Sequence, residues 1–270
     1  MKRFLSAGLA AAAASVITGF VMAQPASSTD ESAGCPVSDY TMALRYQQSA
    51  SVAALQKQSY RLATDRLEDL VGPMQAYQGN GARVGLIKRN GHLAVVADLD
   101  ETVLDNTALL ARDLQACHTY TTWDTWSDWE INGNPTLIPG AAAFFSEANR
   151  LGLGIYYISD RFQENKPSTL ATLRQLGLPQ VSDDHVLLYG PTKAERRAIV
   201  SRDHDIVLEL GDSLTDFSQE FKHATAERQQ QLVDQYDARW GTSWIAFPDS
   251  AYGQWSTNTL HAWDAPLVTS

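Results

Sequence analysis

After residue 91, short apolar runs alternate with helical segments, and this alternation constrains the fold more than any other feature of the sequence. The runs have the composition of buried strands, and they span residues 93–97, 153–158, 186–189, 206–210 and 244–247. Helical segments between them span 140–151 and 167–176, and a third begins at Thr192. The alternation predicts an α/β fold with a three-layer parallel sheet, which binds ligands beyond the carboxyl ends of its strands.

The region before these strands, residues 39–90, is predicted to be helical. Apolar side chains recur there at helical spacing, and they are Val52, Leu55, Leu62, Ala63, Leu67 and Leu70. Gly72-Pro73 is expected to end the helix, because both residues disfavour a helix interior. The leucines are expected to pack against other elements.

Residues 1–23 are typical of a cleaved secretory signal peptide. Lys2 and Arg3 precede an Ala-rich apolar stretch, and Val21-Met22-Ala23 places short side chains before a cleavage site. We therefore expect a periplasmic or secreted protein that starts near Gln24 and has no membrane span after cleavage. An uncleaved anchor is the alternative, although the Ala, Ser and Gly content makes the stretch a poor permanent span.

The mature chain is predicted to have a flexible leader over residues 24–38, rich in Ser, Asp, Glu and Ala, and one domain over 39–270. Cys35 follows a polar run rather than the apolar stretch, which argues against an outer-membrane lipoprotein. Cys35 and Cys117 have no CxxC spacing, so they either form a disulfide or remain two separate thiols.

The composition argues against polymeric nucleic acid as a ligand. The chain carries 31 acidic and 21 basic side chains, a formal net charge of −10, which repels a polyphosphate backbone. Small anions can still bind where a metal ion supplies positive charge. The composition indicates no oligomeric state.

Two aspartates follow the first predicted strand. In residues 96–106 (VADLDETVLDN) the apolar run leads directly into Asp98, and Asp100 points to the same side two residues later. Two carboxylates at the end of a buried strand need a cation beside them, either a metal ion or a lysine. The alternative, an acidic surface turn, would not need an apolar strand before it.

Other predicted strands also end in polar groups. Ser159 follows the second strand, and Asp212 and Asp216 follow the fourth. A capping box, Thr192-Lys193-Ala194-Glu195, places Lys193 in the first turn of a helix. At one sheet edge, the hydroxyl and lysine would bind phosphate oxygens and the carboxylates a hard cation. Taken singly, Ser159 is equally consistent with a cap and Lys193 with a solvated helix residue.

The combined motifs resemble the haloacid dehalogenase-like phosphatases, and among them the bacterial class C acid phosphatases, which include surface lipoprotein 5′-nucleotidases. The pattern is DLDET, a strand-end serine, a lysine and GDxLxDF. Similar features extend over about residues 43–255, and they are Tyr46-Gln47-Gln48, DLDETVLDN, Thr122-Trp123-Asp124, IYYISDR, Arg196-Arg197, GDSLTDF, Phe247-Pro248 and Tyr252-Gly253-Gln254-Trp255. The implied fold is Rossmann-like, with a small helical cap over about residues 106–139.

The resemblance implies a secreted, Mg²⁺-dependent acid phosphatase that hydrolyses phosphomonoesters, 5′-nucleotides among them. Asp98 would be the nucleophile that forms an aspartyl-phosphate, and Asp100 the general acid and base. The implied metal ligands are Asp98, the backbone carbonyl of Asp100, and Asp212, with Asp216 supporting the site. The remaining implied phosphate contacts are Ser159 and Lys193. Asp160 replaces an Asn that many relatives have, which adds negative charge near the site.

Two other functions remain open. A phosphotransferase would use the same aspartyl-phosphate and pass the phosphoryl group to an alcohol. A non-catalytic surface binding protein would keep the scaffold without turnover, but it would not require both a nucleophile and an acid.

Aromatic side chains recur every three residues between the first two motifs, at Tyr120, Trp123, Trp126 and Trp129. They form an aromatic ridge if this stretch is one helix. The ridge either packs the cap or places Trp123 and Trp126 on a nucleobase or another flat leaving group, a contact worth ~1–3 kcal/mol per base.

Overall fold

A computed structural model of the chain describes residues 38–76, 92–262 and 264–266. Within these ranges the strands are, in chain order, β1 (Leu93–Ala97), β2 (Leu104–Asp105), β3 (Thr136–Leu137), β4 (Gly154–Ile158), β5 (Val186–Leu187), β6 (Asp205–Gly211) and β7 (Trp244–Ala246). One parallel sheet has the order β5-β4-β1-β6-β7, and β2 pairs antiparallel with β3. Because β1 is central, its carboxyl end lies between those of β4 and β6.

Helices cover both faces of the sheet. They are α1 (Ser38–Gln47), α2 (Ala50–Ala76), α3 (Thr107–Gln115), α4 (Trp126–Asn132), α5 (Ala141–Arg150), α6 (Lys166–Gln175), α7 (Lys193–Val200) and α8 (Ala226–Gln235). Alternate residues of β1 face opposite sides: Val95 belongs to the main core with α2, α5 and α6, whereas Val96 packs near Val200 of α7. The predicted three-layer α/β fold is therefore confirmed.

The predicted strands and helices are present, and their ends differ by a few residues. The third strand is the clearest difference, because β5 stops at Leu187 and the Tyr189 backbone N–H donates instead to the Arg161 carbonyl at 3.0 Å. The capping box before α7 is as predicted. Thr192 Oγ1 accepts from the Glu195 backbone N–H at 3.2 Å, and Glu195 Oε2 accepts from the Thr192 backbone N–H at 2.8 Å.

The prediction that Gly72-Pro73 ends the N-terminal helix is wrong, because α2 continues to Ala76. Proline has a φ compatible with a helix and removes only one backbone donor, and the preceding turns are anchored in the core. The buried anchors of α2 are Val52, Tyr60, Ala63 and Leu67. Leu55 and Leu70, which were expected to pack, are each 41% exposed. Residues 77–91 lie outside the described ranges.

The segment predicted as the cap, residues 106–139, contains α3, α4 and β3, and β3 pairs with β2 just before the segment. Its aromatic stretch is not one helix, so the predicted three-residue ridge is wrong. A short 3-10 helix (Tyr120–Thr122) ends at Trp123, which has a φ of 63°. This left-handed backbone conformation cannot continue a right-handed helix, and α4 starts anew at Trp126.

The two N-terminal helices bind the C-terminal part of the domain. Gln47 donates from Nε2 to the Pro248 carbonyl at 3.2 Å and accepts from the Ser250 backbone N–H at 2.9 Å. Ser59 Oγ donates to the Ala246 carbonyl at 3.0 Å. These contacts join residues about 200 positions apart, so the ends of the domain stabilise one another.

Cys117 is disulfide-bonded. Cys35 lies outside the described residues, as do the predicted signal peptide 1–23 and leader residues 24–37. Among the helices of the described ranges, none combines the length and the hydropathy needed to cross a bilayer.

Candidate active site

The carboxyl edge of the sheet brings the predicted polar groups together. The Asp98 backbone N–H donates to the Leu210 carbonyl at 2.9 Å, which continues the β1–β6 ladder and fixes Asp98 at the strand end. The Ser159 backbone N–H donates to the Leu187 carbonyl at 3.1 Å in the same way, and Asp212 directly follows β6. Parallel topology thus places all three side chains at one edge, as the sequence predicts.

Lys193 joins two of the carboxylates. Its Nζ lies 2.5 Å from Asp98 Oδ1 and 2.5 Å from Asp216 Oδ1, and all three side chains are buried or nearly so. Burial disfavours the ammonium, but Asp216 and Asp98 overcome this and raise the pKa of Lys193. The lysine is therefore a fixed positive charge at the base of the site, and the reading of Lys193 as a solvated helix residue is wrong.

Carboxylate oxygens of Asp98, Asp212 and Asp216 lie within 4.8 Å of one another. Burial, with the neighbouring carboxylates, raises the pKa of Asp98 to about 7 and raises that of Asp212 well above its usual value. Among the described residues, Asp98 Oδ2 and Asp212 Oδ2 accept no hydrogen bond, whereas Asp212 Oδ1 accepts from Thr102 Oγ1 at 2.8 Å. Free carboxylate oxygens crowded beside one lysine fit a hard divalent cation.

Asp100 points away from this cluster and is held by three side chains. Arg161 donates from Nε and Nη2 to Asp100 Oδ1 at 2.9 and 2.7 Å, and Ser159 Oγ donates to Oδ2 at 3.0 Å. Asn106 Nδ2 adds a hydrogen bond to Oδ1 at 2.9 Å. The carboxylate orientation is therefore fixed before any substrate is bound.

Sequence reasoning assigned no role to Arg161 or Asn106. In the structure both side chains are buried, and each is at most 1% exposed. The Asn106 amide orientation follows from its contacts: Oδ1 accepts from Arg161 Nη2 at 3.1 Å and from Trp129 Nε1 at 2.8 Å. Because both partners are donors only, the amide nitrogen must face Asp100. Trp129, a member of the predicted aromatic ridge, thus connects α4 to the Asp100 carboxylate.

Asp160 does not add an uncompensated charge. Its carboxylate accepts from Arg196 Nη2, and Arg196 Nη1 also donates to the Ser159 carbonyl at 2.5 Å. Arg196 is 2% exposed, so the pair is anchored from inside the domain. Asp160 nevertheless lines the crevice, and its charge acts with those of Asp216 and Asp98 to raise the pKa of Lys193 against the effect of burial. The negative charge expected from the sequence is therefore present near the site, and Arg196 balances it.

Glu101 links the loop that follows β1 to the C-terminal segment. It is fully buried, accepts from the Asn106 backbone N–H at 3.0 Å and accepts from the Tyr252 hydroxyl. Burial, with Asp249 and Asp100 nearby, raises the pKa of Glu101. The contact fixes Tyr252 beside the catalytic edge, a role that no sequence motif indicated.

A crevice of about 430 Å³ opens above these groups. Its floor includes Asp98, Asp100, Lys193 and Asp212, and its aromatic wall consists of Trp123, Trp126, Phe162 and Tyr252. Trp123 is 41% exposed and meets Trp126 and Tyr252 edge to face, with ring centroids 5.2 Å apart in both cases. Trp126 is 7% exposed and packs into the cap, whereas Trp123 and Tyr189, which is 61% exposed, present broad free surfaces to the crevice.

A central strand that ends in an aspartate, beside a lysine and further carboxylates at the same sheet edge, defines the haloacid dehalogenase-like class of proteins. The chain belongs to the HAD superfamily, subfamily IIIB (acid phosphatase), whose family description matches residues 24–255. Membership makes the protein a phosphomonoesterase that acts on small phosphate esters. Phosphatases of this superfamily generally use a divalent metal, for which the aspartate cluster provides ligands.

Two solved structures show the same fold. The class C acid phosphatase from Bacillus anthracis is 32% identical, with a TM-score of 0.69 over 80% of this chain and 86% of that chain. The same enzyme with tungstate bound is 31% identical, with a TM-score of 0.69 over 82% of this chain and 88% of that chain. These similarities confirm the family resemblance seen in the sequence.

Proposed function

We propose that the protein is a secreted, Mg²⁺-dependent acid phosphatase that hydrolyses phosphomonoesters, 5′-nucleotides among them, through an aspartyl-phosphate. The observation that carries the proposal is the state of Asp98. One of its carboxylate oxygens is held by Lys193, and the other accepts no hydrogen bond among the described residues and faces the crevice. A held carboxylate with one free oxygen is suited to attack phosphorus.

Asp100 acts as the general acid and base. It protonates the leaving alkoxide when Asp98 attacks, and it then removes a proton from the water that hydrolyses the aspartyl-phosphate. Arg161 and Asn106 keep its carboxylate in one orientation through both steps, which lowers the reorganisation that each transfer requires.

Lys193 and Ser159 bind the phosphate oxygens. The Lys193 ammonium offsets negative charge on the transferring phosphoryl group, and the Ser159 hydroxyl, which is completely buried beside Asp100, donates a directed hydrogen bond. To donate to the substrate, the Ser159 hydroxyl must rotate away from Asp100.

Mg²⁺ would be held by the carboxylates of Asp98 and Asp212 and by the backbone carbonyl of Asp100, with Asp216 supporting the site. When bound, the ion supplies positive charge next to the phosphoryl group. The structural support is that Asp98 and Asp212 each have one carboxylate oxygen that accepts no hydrogen bond among the described residues. Burial beside other carboxylates also raises the pKa of both groups, so a cation would favour their ionised forms.

The aromatic wall supports nucleotides as substrates, because the exposed face of Trp123 and the ring of Tyr252 offer flat surfaces to a base. Export is supported by residues 1–23, which have the pattern of a signal peptide, ahead of the leader 24–38 and the enzyme domain 39–270.

The Asp98→Asn variant tests the proposal. We expect it to have no turnover and to form no acid-stable, base-labile phosphoprotein, because an amide cannot attack phosphorus. Asp234→Asn, on the exposed face of α8, is the matched control and retains wild-type turnover. Near-normal turnover by Asp98→Asn would exclude the aspartyl-phosphate mechanism.

A further inference from the structure

The active-site crevice has a second arm, which we call the annex. It is a cavity of about 340 Å³ that shares Asp160, Tyr189, Lys193, Ser213 and Thr215 with the main crevice. Its far wall is formed by Gln219, Lys222, His223 and Gln254. A ligand whose phosphate lies at Lys193 can therefore extend either along the aromatic wall or into the annex.

The annex carries net positive charge. Within the described residues, the Lys222 ammonium forms no ion pair. Asp160 is the single carboxylate among the residues that line the annex, and Arg196 already neutralises it. The positive charge of Lys222 is therefore available to pair with an anionic ligand.

The other polar groups of the far wall present hydrogen-bond donors. Gln229 Nε2 donates to the Ala224 carbonyl at 3.3 Å and to Gln254 Oε1 at 2.6 Å, which fixes both amide orientations. Among the residues that the structure describes, no group accepts from Gln254 Nε2, so it remains a donor for a ligand at the annex. His223 adds an imidazole, which carries at least one N–H in every protonation state.

We propose that the annex is a subsite for a second anionic group, a phosphate or a carboxylate, on the leaving group of the substrate. Favoured substrates are then phosphomonoesters of alcohols that carry a further anion several bonds from the scissile phosphate. The proposal rests on the proposed function only in placing the reacting phosphate at Asp98 and Lys193. An ammonium with free donors around it provides the complementary charge.

The test compares butyl phosphate with the bisphosphate of the matching four-carbon diol, and then with longer diols that reach further into the annex. We expect the wild-type enzyme to prefer the best bisphosphate by about tenfold in kcat/KM at low ionic strength, after correction for its two equivalent ends. The preference should shrink at about 0.5 M NaCl, because the annex is open to solvent. Carboxyalkyl phosphates of the same lengths establish whether a carboxylate replaces the second phosphate.

The Lys222→Met variant should lose most of this preference, whereas Lys57→Met, the same change on the exposed side of α2, should keep it. Equal preference in wild type and Lys222→Met, or none in wild type at any chain length, would overturn the annex proposal.

Binding of the non-hydrolysable alkyl phosphonate and bisphosphonate, measured by calorimetry, separates this proposal from the proposed function. A binding preference for the bisphosphonate that depends on Lys222 supports the annex, whether or not the enzyme shows turnover. An absence of turnover would contradict the hydrolytic mechanism and leave the annex proposal standing.

Discussion

The Asp100 carboxylate is anchored by Arg161, Asn106 and Ser159, and its proposed chemistry is proton transfer to the leaving group. We expect Asp100→Asn to lower kcat/KM, which reports the step that cleaves the ester, by roughly 10²–10⁴-fold for an alkyl phosphate. The loss should be much smaller for p-nitrophenyl phosphate, because its acidic leaving group needs little protonation. Steady-state kinetics on both esters check this. Equal losses on the two esters would assign Asp100 a purely structural role.

Trp123 is the exposed member of the aromatic wall, so it is the residue at which stacking is tested. Trp123→Ala should raise KM for a nucleoside 5′-monophosphate by roughly 10–100-fold, equivalent to ~1–3 kcal/mol, and leave KM for a small alkyl phosphate almost unchanged.

Trp126→Ala provides the comparison, because Trp126 is packed inside the cap and its loss should lower the melting temperature. If Trp123→Ala impairs both substrates equally and also lowers the melting temperature, Trp123 serves cap packing rather than substrate binding.

At the residue scale, sequence reasoning located groups fixed by local patterns. Lys193 was placed correctly because its capping box is encoded within four consecutive residues. Asn106 and Arg161 were missed because their roles arise from contacts with each other, 55 positions apart, and with Asp100. Their only local signals are the Asn that closes VADLDETVLDN and the Arg that follows Ser159-Asp160.

At the element scale, α4 is coupled to Asp100 through the Trp129 indole N–H, which donates to Asn106. Trp129→Phe keeps most of the ring but removes the donor that orients Asn106. We expect kcat to fall by about fivefold, in line with a net hydrogen-bond contribution of about 1 kcal/mol, and KM to stay nearly constant.

Trp240→Phe is the control for this change. Trp240 Nε1 donates to the Val233 carbonyl at 3.0 Å, so its removal costs a comparable hydrogen bond away from the site. It should lower stability and leave kcat unaltered. A similar kcat for both variants would mean that α4 does not orient Asp100.

Elements were predictable where the hydrophobic pattern and parallel topology act together. The strand ends meet at one edge because of the sheet order, which is why Asp98, Ser159 and Asp212 were brought together correctly. The left-handed turn at Trp123 and the continuation of α2 past Pro73 were not predictable, because tertiary packing overrides the local preference at both places.

At the scale of the whole molecule, buried carboxylates couple stability to pH and to the metal. The pKa values of Asp98 and Asp249 are raised to about 7, and that of Asp212 is raised well above its usual value. Folding therefore favours their protonated forms, and the stability these groups contribute at low pH is lost as the pH rises from about 4 to about 7.

A bound cation reverses this loss because it binds the ionised carboxylates. We expect Mg²⁺ to raise the melting temperature over a chelated sample far more at about pH 7.5 than at about pH 5, as measured by scanning fluorimetry. Activity should be absent in EDTA and return with Mg²⁺. A melting-temperature difference that is the same at both pH values would argue against a cation at these aspartates.

The contacts of Gln47 and Ser59 with residues 246–250 have a consequence for biogenesis. A chain emerging from the ribosome cannot make these contacts until residues 246–250 have been synthesised. Tyr252, which completes the aromatic wall, follows this segment directly. The crevice thus forms only after Tyr252 has been synthesised, so a polypeptide exported in an unfolded state would carry no assembled phosphatase site until it reached its destination.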